Sequence, residues 1–141
     1  MILKIILENN RHDLAKLQNA IDTFTEEHNL NVDIGFGLNL ALEELFINVI
    51  LHAYDDRLLH AIEISLDYDA NKITGQITDD GRCFDPTLHP EPDLSAKLEE
   101  RKNGGLGIHL ARRFFDNWKY HREKDKNILN FEKRLIRERS G

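Results

Sequence analysis

Leu40-Ala41-Leu42-Glu43-Glu44-Leu45-Phe46-Ile47-Asn48, with His52-Ala53-Tyr54 just beyond it, is the stretch on which the fold turns. Residues 38–53 are apolar on almost every side, so a helix here belongs at the centre of a core. Into that surface are set Glu44, Asn48 and His52, spaced i, i+4 and i+8, which is one stripe along a helix. Burying an unpaired carboxylate or amide costs on the order of several kcal/mol, so the stripe must face water or a polar ligand. The residue types suit a ligand. A carboxylate can take a proton as a general base, with Glu43 as its immediate alternative. An amide oxygen is a hard donor of the kind magnesium accepts beside substrate phosphates.

Outward from this helix, the pattern resolves into strands and amphipathic helices. Residues 1–7 read as a strand. Asn10 can cap a helix over 11–28, in which Leu14, Leu17, Ile21 and Phe24 share a face. Asn29 to Asn31 break it, and Asp33 is placed to cap the central helix, about 34–53. Residues 61–68 and 72–79 alternate and read as a hairpin. Residues 105–115 read as a helix with Leu106, Leu110 and Phe114 on one face. A second hairpin covers 118–122 and 127–134, turning at Lys124-Asp125-Lys126. The order β-α-α-β-β-loop-α-β-β predicts an α+β two-layer sandwich, a mixed sheet with helices packed on one face. A doubly wound dinucleotide fold needs strands and helices in regular alternation, which this order lacks.

Two further motifs follow the Glu–Asn pair. Asp79-Asp80-Gly81 ends a strand; such a turn is common, but an Asp here can also accept a hydrogen bond from an exocyclic amine, with Gly81 allowing close backbone approach. Gly104-Gly105-Leu106-Gly107-Ile108 opens a helix, where glycines expose backbone N–H groups to an anion. No Gly-Lys-Ser/Thr follows, so this is not a P-loop, and Leu110 stands where a dinucleotide fingerprint needs its third glycine. The histidines are scattered and suggest no metal site; His52 and His109 alone belong to the motifs.

With 141 residues the chain is expected to form one domain spanning 1–141. No stretch reads as the ~20 uninterrupted apolar residues of a membrane span, and no secretory leader is visible. The single cysteine, Cys83, excludes an internal disulfide framework, and a reducing, cytoplasmic setting is the default expectation. Net charge is −6, and the C-terminal basic residues are interspersed with acids, which argues against a nucleic-acid partner. All three prolines (Pro86, Pro90, Pro92) fall in the long segment 80–103.

Read together, the three motifs resemble those of the Bergerat-fold ATPases, the superfamily of gyrase, heat-shock chaperones, histidine kinases and MutL. Within it the chain is most similar to the small stand-alone anti-sigma factor serine/threonine kinases. The likeness covers nearly the whole chain, to about Arg134. It implies ATP and Mg²⁺ as cofactors, Glu44 as catalytic base, Asn48 as magnesium ligand and Asp79 as reader of the adenine amine with Gly81 beside the base. It implies that the backbone from Gly104, Gly105, Leu106, Gly107 and Ile108 holds the phosphates, and His52 is a further pocket candidate. Residues 86–103 would form a lid from which Arg101 or Lys102 reaches the γ-phosphate. The partners implied are an anti-sigma factor antagonist protein bearing the acceptor hydroxyl and a sigma factor, with homodimerisation common; no membrane or nucleic acid is implied. Two positions depart from the pattern. Cys83 stands where many relatives carry a second glycine. Asn130 is placed where the last strand of many relatives has a threonine near the adenine.

The resemblance is more specific for the fold than for the reaction. A kinase is the first expectation, and a non-enzymatic binding module gated by ATP is the alternative. A detached histidine-kinase catalytic domain fits less well, because no phosphoacceptor helix pair precedes the first strand.

Overall fold

The computed structural model describes residues 2–69, 71–88 and 105–135. Strands β1 (Ile2–Glu8), β2 (Ala61–Asp69), β3 (Lys72–Asp79), β4 (Asn117–Glu123) and β5 (Lys126–Arg134) form a five-stranded sheet in the order β1-β2-β3-β5-β4. The α+β sandwich expected from the sequence is the fold observed. The sheet is not mixed, however: all four pairings are antiparallel. β1 enters antiparallel to β2 because two helices, α1 (Leu14–Glu27) and α2 (Val32–His52), return the chain before β2 begins. A third, α3 (Gly105–Phe114), packs along α2.

Alternation along the strands sorts the sheet into two faces. Ile62, Ile64 and Leu66 of β2, Ile73 and Ile77 of β3, and Leu129 and Phe131 of β5 are buried toward the helices. They meet Leu17, Ile21 and Phe24 of α1 and Leu38, Leu42, Leu45 and Phe46 of α2. Each such side chain contributes about 1.5–3 kcal/mol by leaving water. α2 is long and apolar enough to cross a membrane by length and composition, contrary to the expectation that no segment would be. Its inward residues are taken up by this core.

Local corrections have local causes. The first turn of the expected 11–28 helix is a 3-10 turn, Arg11–Asp13, and Asn10 caps it by accepting from the His12 N–H at 2.9 Å. Asn31, not Asp33, caps α2, accepting from the Ile34 N–H at 2.8 Å. The chain reverses at Asn29 in the left-handed region (φ 51°), and this brings Asn31 to the helix entry two residues earlier than expected. On α3, Ala111 is buried and Leu110 is 38% exposed, so the inward line is rotated from the one expected.

Gly75 of β3 pairs with Phe131 of β5. A Cβ at Gly75 would lie 2.4 Å from the Phe131 ring and 2.6 Å from the Ser65 carbonyl oxygen. Phe131 cannot retreat, because its ring stacks on Phe115 at 4.4 Å inside the core. Gly75→Ala is therefore expected to destabilise the fold by about 1–3 kcal/mol through overpacking. The check is a urea midpoint: a fall at unchanged slope is expected, and an unchanged midpoint would refute the packing argument.

Candidate functional site

α2 carries the stripe predicted for it. Asn48 is buried at 1% exposure, and its Nδ2 donates to the Glu44 carbonyl at 2.7 Å, tying the two positions together across one helical turn. Glu44 is half-buried. Burial, then the neighbouring Glu43 carboxylate, push its carboxyl above the usual range, against a smaller opposing pull from Arg11. A carboxylate held in that way is a better proton acceptor than an exposed one.

Asp79 ends β3 at 4% exposure and lines a small cavity with Asn48, Leu45 and Val49 of α2 and Ile77 of β3. Its Oδ1 accepts from the Gly81 N–H and from Asn127 Nδ2, each at 2.9 Å. Its Oδ2 takes no hydrogen bond from the described residues. Burial raises its pKa; the bonds from Asn127 and Gly81 pull in the opposite direction without cancelling it. The alternation of β3 brings this carboxylate to the helix-facing side, because Asp79 is in phase with Ile73 and Ile77.

Other predicted residues take different places. Gly81 does not line the cavity. A Cβ there would lie 2.5 Å from both the side chain and the carbonyl oxygen of Ala53, so this glycine lets the β3 loop close against the end of α2. The Arg82 N–H then donates to the Ala53 carbonyl and Arg82 Nε to the His52 carbonyl. His52 stacks on Phe84 at 5.1 Å. Gly105, Leu106, Gly107 and Ile108 form the first turn of α3, of which the backbone is described. Arg101, Lys102 and Gly104 lie outside the described residues, as does most of the expected lid. The part that is described, 86–88, is tied down: Asp85 Oδ1 accepts from the N–H of Thr87, and Pro86 is buried.

Asn130 is not near Asp79. Its Oδ1 accepts from Gln76 Nε2 at 3.0 Å on the sheet face away from the helices. The residue that reaches Asp79 is Asn127, buried at 4% exposure. Strand parity was the available signal: Asn127 is in phase with Leu129 and Phe131, and Asn130 is out of phase.

Asp80 faces outward into a separate cluster. Its carboxylate accepts from Tyr54 OH at 2.8 Å and lies 3.2 Å from His60 Nδ1, while His60 Nε2 lies 2.8 Å from Asp56. Burial acts to raise the Asp80 pKa, but the bonds from Tyr54 and His60 outweigh it and the net shift is downward. For His60, the bond to Asp56 leads a net rise above 6.5, against burial and with support from Asp80. A raised histidine pKa stabilises the fold fully below the unfolded value, and that stability is lost as pH rises through the folded value. The stability gap between the parent and His60→Gln is thus expected to be largest below pH 6.5 and to shrink above it. Denaturant titrations at several pH values test this; a gap independent of pH would remove the ion-pair account.

Comparison with known proteins agrees with this fold. The profile of the histidine kinase-like ATPase domain matches residues 7–133. The chain belongs to that family. Membership makes it an ATP-binding domain. It is 31% identical over 94 residues to the serine/threonine-protein kinase BtrW of Bordetella bronchiseptica, a match covering 67% of this chain and 66% of that protein. Among solved structures, the RsbU and RsbW domains of Rv1364c from Mycobacterium tuberculosis align with a TM-score of 0.70 at 12% identity, over 97% of this chain and 33% of that one. The histidine kinase domain of the Erythrobacter litoralis EL346 blue-light activated kinase aligns with a TM-score of 0.53 at 16% identity, over 86% and 59%. Both structural likenesses establish the ATPase-domain fold. The chain spans less than two thirds of each of these relatives.

Proposed function

We propose that the chain is an ATP-dependent protein serine/threonine kinase that acts as an anti-sigma factor in the cytoplasm and phosphorylates a small anti-sigma factor antagonist. The observation that carries this reading is Glu44 and Asn48 one helical turn apart, with Asn48 and Asp79 lining one cavity. The similarity to a protein named a serine/threonine kinase supports it. A sigma factor as second partner and a homodimer as assembly belong to the same reading.

Each residue has one task. Asp79 accepts the exocyclic amine of adenine through Oδ2. Glu44 takes the proton of the acceptor hydroxyl as its oxygen bonds to the γ-phosphorus. The bond from that phosphorus to the bridging oxygen breaks, and ADP leaves. The donor chemistry fits magnesium: with Nδ2 turned to the Glu44 carbonyl, the amide oxygen is the hard donor that Asn48 presents. Magnesium held through Asn48 would neutralise phosphate charge.

The test is transfer of label from γ-labelled ATP to antagonist proteins that co-purify with the chain. Labelled serine or threonine on such a partner is the expected result. ATP binding with no transfer to any co-purifying partner would replace the kinase reading with an ATP-gated binding module.

A further inference from the structure

The cavity beside Asp79 is too small for a base. Its free volume is about 20 Å³, room for about one water molecule. Three of its walls, α2, β3 and β5, are core. Among the described residues, the others are Phe84 and Pro86, on the loop after β3, and Tyr120, on the edge strand β4. A purine enters only if that second set moves.

One buried amide holds both sides of the closure. Asn127 Oδ1 accepts from Tyr120 OH at 2.6 Å, from Arg122 Nη1 at 2.9 Å and from the Phe84 N–H at 3.3 Å. Its Nδ2 donates to Asp79 Oδ1 at 2.9 Å and to the Arg82 carbonyl at 2.8 Å. Arg122 also donates to the Gly81 carbonyl at 3.0 Å, and Tyr120 OH lies 3.3 Å from Cys83 Sγ. An amide has two N–H donors and two oxygen lone pairs. Both donors are used and the oxygen is shared among three, so Asn127 has nothing to offer a base directly. It acts through Asp79.

We propose that Asn127 is a latch: a positioning residue that aims Asp79 and, through Tyr120 and Phe84, keeps the base pocket shut until nucleotide binds. The inference rests on the nucleotide-site reading and adds to it the step that limits base entry. Asn127 keeps its bond to Asp79 throughout, while the Tyr120 and Phe84 side releases. The oversubscribed oxygen favours release on that side, since losing one donor leaves its lone pairs filled.

Tyr120→Phe removes the hydroxyl and keeps the ring. Arg122→Gln loosens the same side from the surface. Stopped-flow mixing with ATP labelled on the ribose by a methylanthraniloyl group separates association from dissociation. Both variants are expected to associate about three- to tenfold faster, the weight of one net hydrogen bond, with unchanged dissociation. A merely structural role predicts the opposite split: unchanged association, faster dissociation and weaker binding. That split, or unchanged association in both variants, overturns the latch. If the parent protein itself binds no labelled ATP, the nucleotide-site reading fails, and the latch fails with it. Thermal melting of each variant verifies that it is folded before the rates are read.

Discussion

Glu44→Gln is expected to lower phosphoryl transfer by about 10²–10⁴ while leaving ATP affinity nearly unchanged, because removal of a positioned general base typically costs that factor. Glutamine has nearly the same shape, so the half-buried position loses its proton-accepting atom and little else. Asn48→Ala differs in kind, since it empties a position buried at 1% exposure and removes the proposed magnesium donor, so binding is expected to suffer as well. The measurement is a single-turnover rate on a partner that the parent phosphorylates, beside calorimetry with ATP. Normal transfer by Glu44→Gln would move the base assignment to Glu43, whose Oε2 accepts from Gln18 Nε2 at 3.4 Å.

The second large effect belongs to Asp79. Asp79→Asn is expected to weaken ATP binding about ten- to hundredfold, the equivalent of one hydrogen bond to a charged group. The substituted amide can still turn its oxygen to Asn127 Nδ2 and the Gly81 N–H, so the local network survives. Its NH₂ then meets the adenine amine donor to donor. The loss falls on the base: preference for ATP over GTP collapses, whereas the ratio of ATP to ADP affinity stays put. Calorimetry with the three nucleotides decides it. Equal affinity of the unmutated protein for ATP and GTP would remove Asp79 from the base edge.

The sequence carried the fold far because its strongest signals are periodic. α2 is apolar on so many sides that burial is unavoidable, and the hairpin alternations of β2–β3 and β4–β5 need no tertiary knowledge. What it did not carry depends on pairs distant in the chain. Sheet direction depends on how α1 and α2 return the chain to β2. The Asn127–Asp79 contact joins residues far apart in sequence, and choosing Asn127 over Asn130 needs the exact parity of β5 relative to β3. Capping of α2 by Asn31 depends on a left-handed residue upstream. The closure by Phe84 and Tyr120 left no motif, since both look like ordinary hydrophobic positions. Arg101, Lys102 and Gly104 are motif assignments made from the chain alone and lie outside the described structure.

The two members of the Glu–Asn pair are unequally embedded, and this bears on how such a domain diversifies. Asn48 sits inside the core beside the cavity, so most replacements there damage fold and ligand site together. Glu44 is half-buried and exchangeable for a near-isostere. On the proposed reading, a single codon change at position 44 silences the chemistry and leaves a stable, nucleotide-responsive scaffold. Descendants of this architecture have a short route from catalyst to pure sensor, and a far longer one in which nucleotide binding disappears while the fold endures.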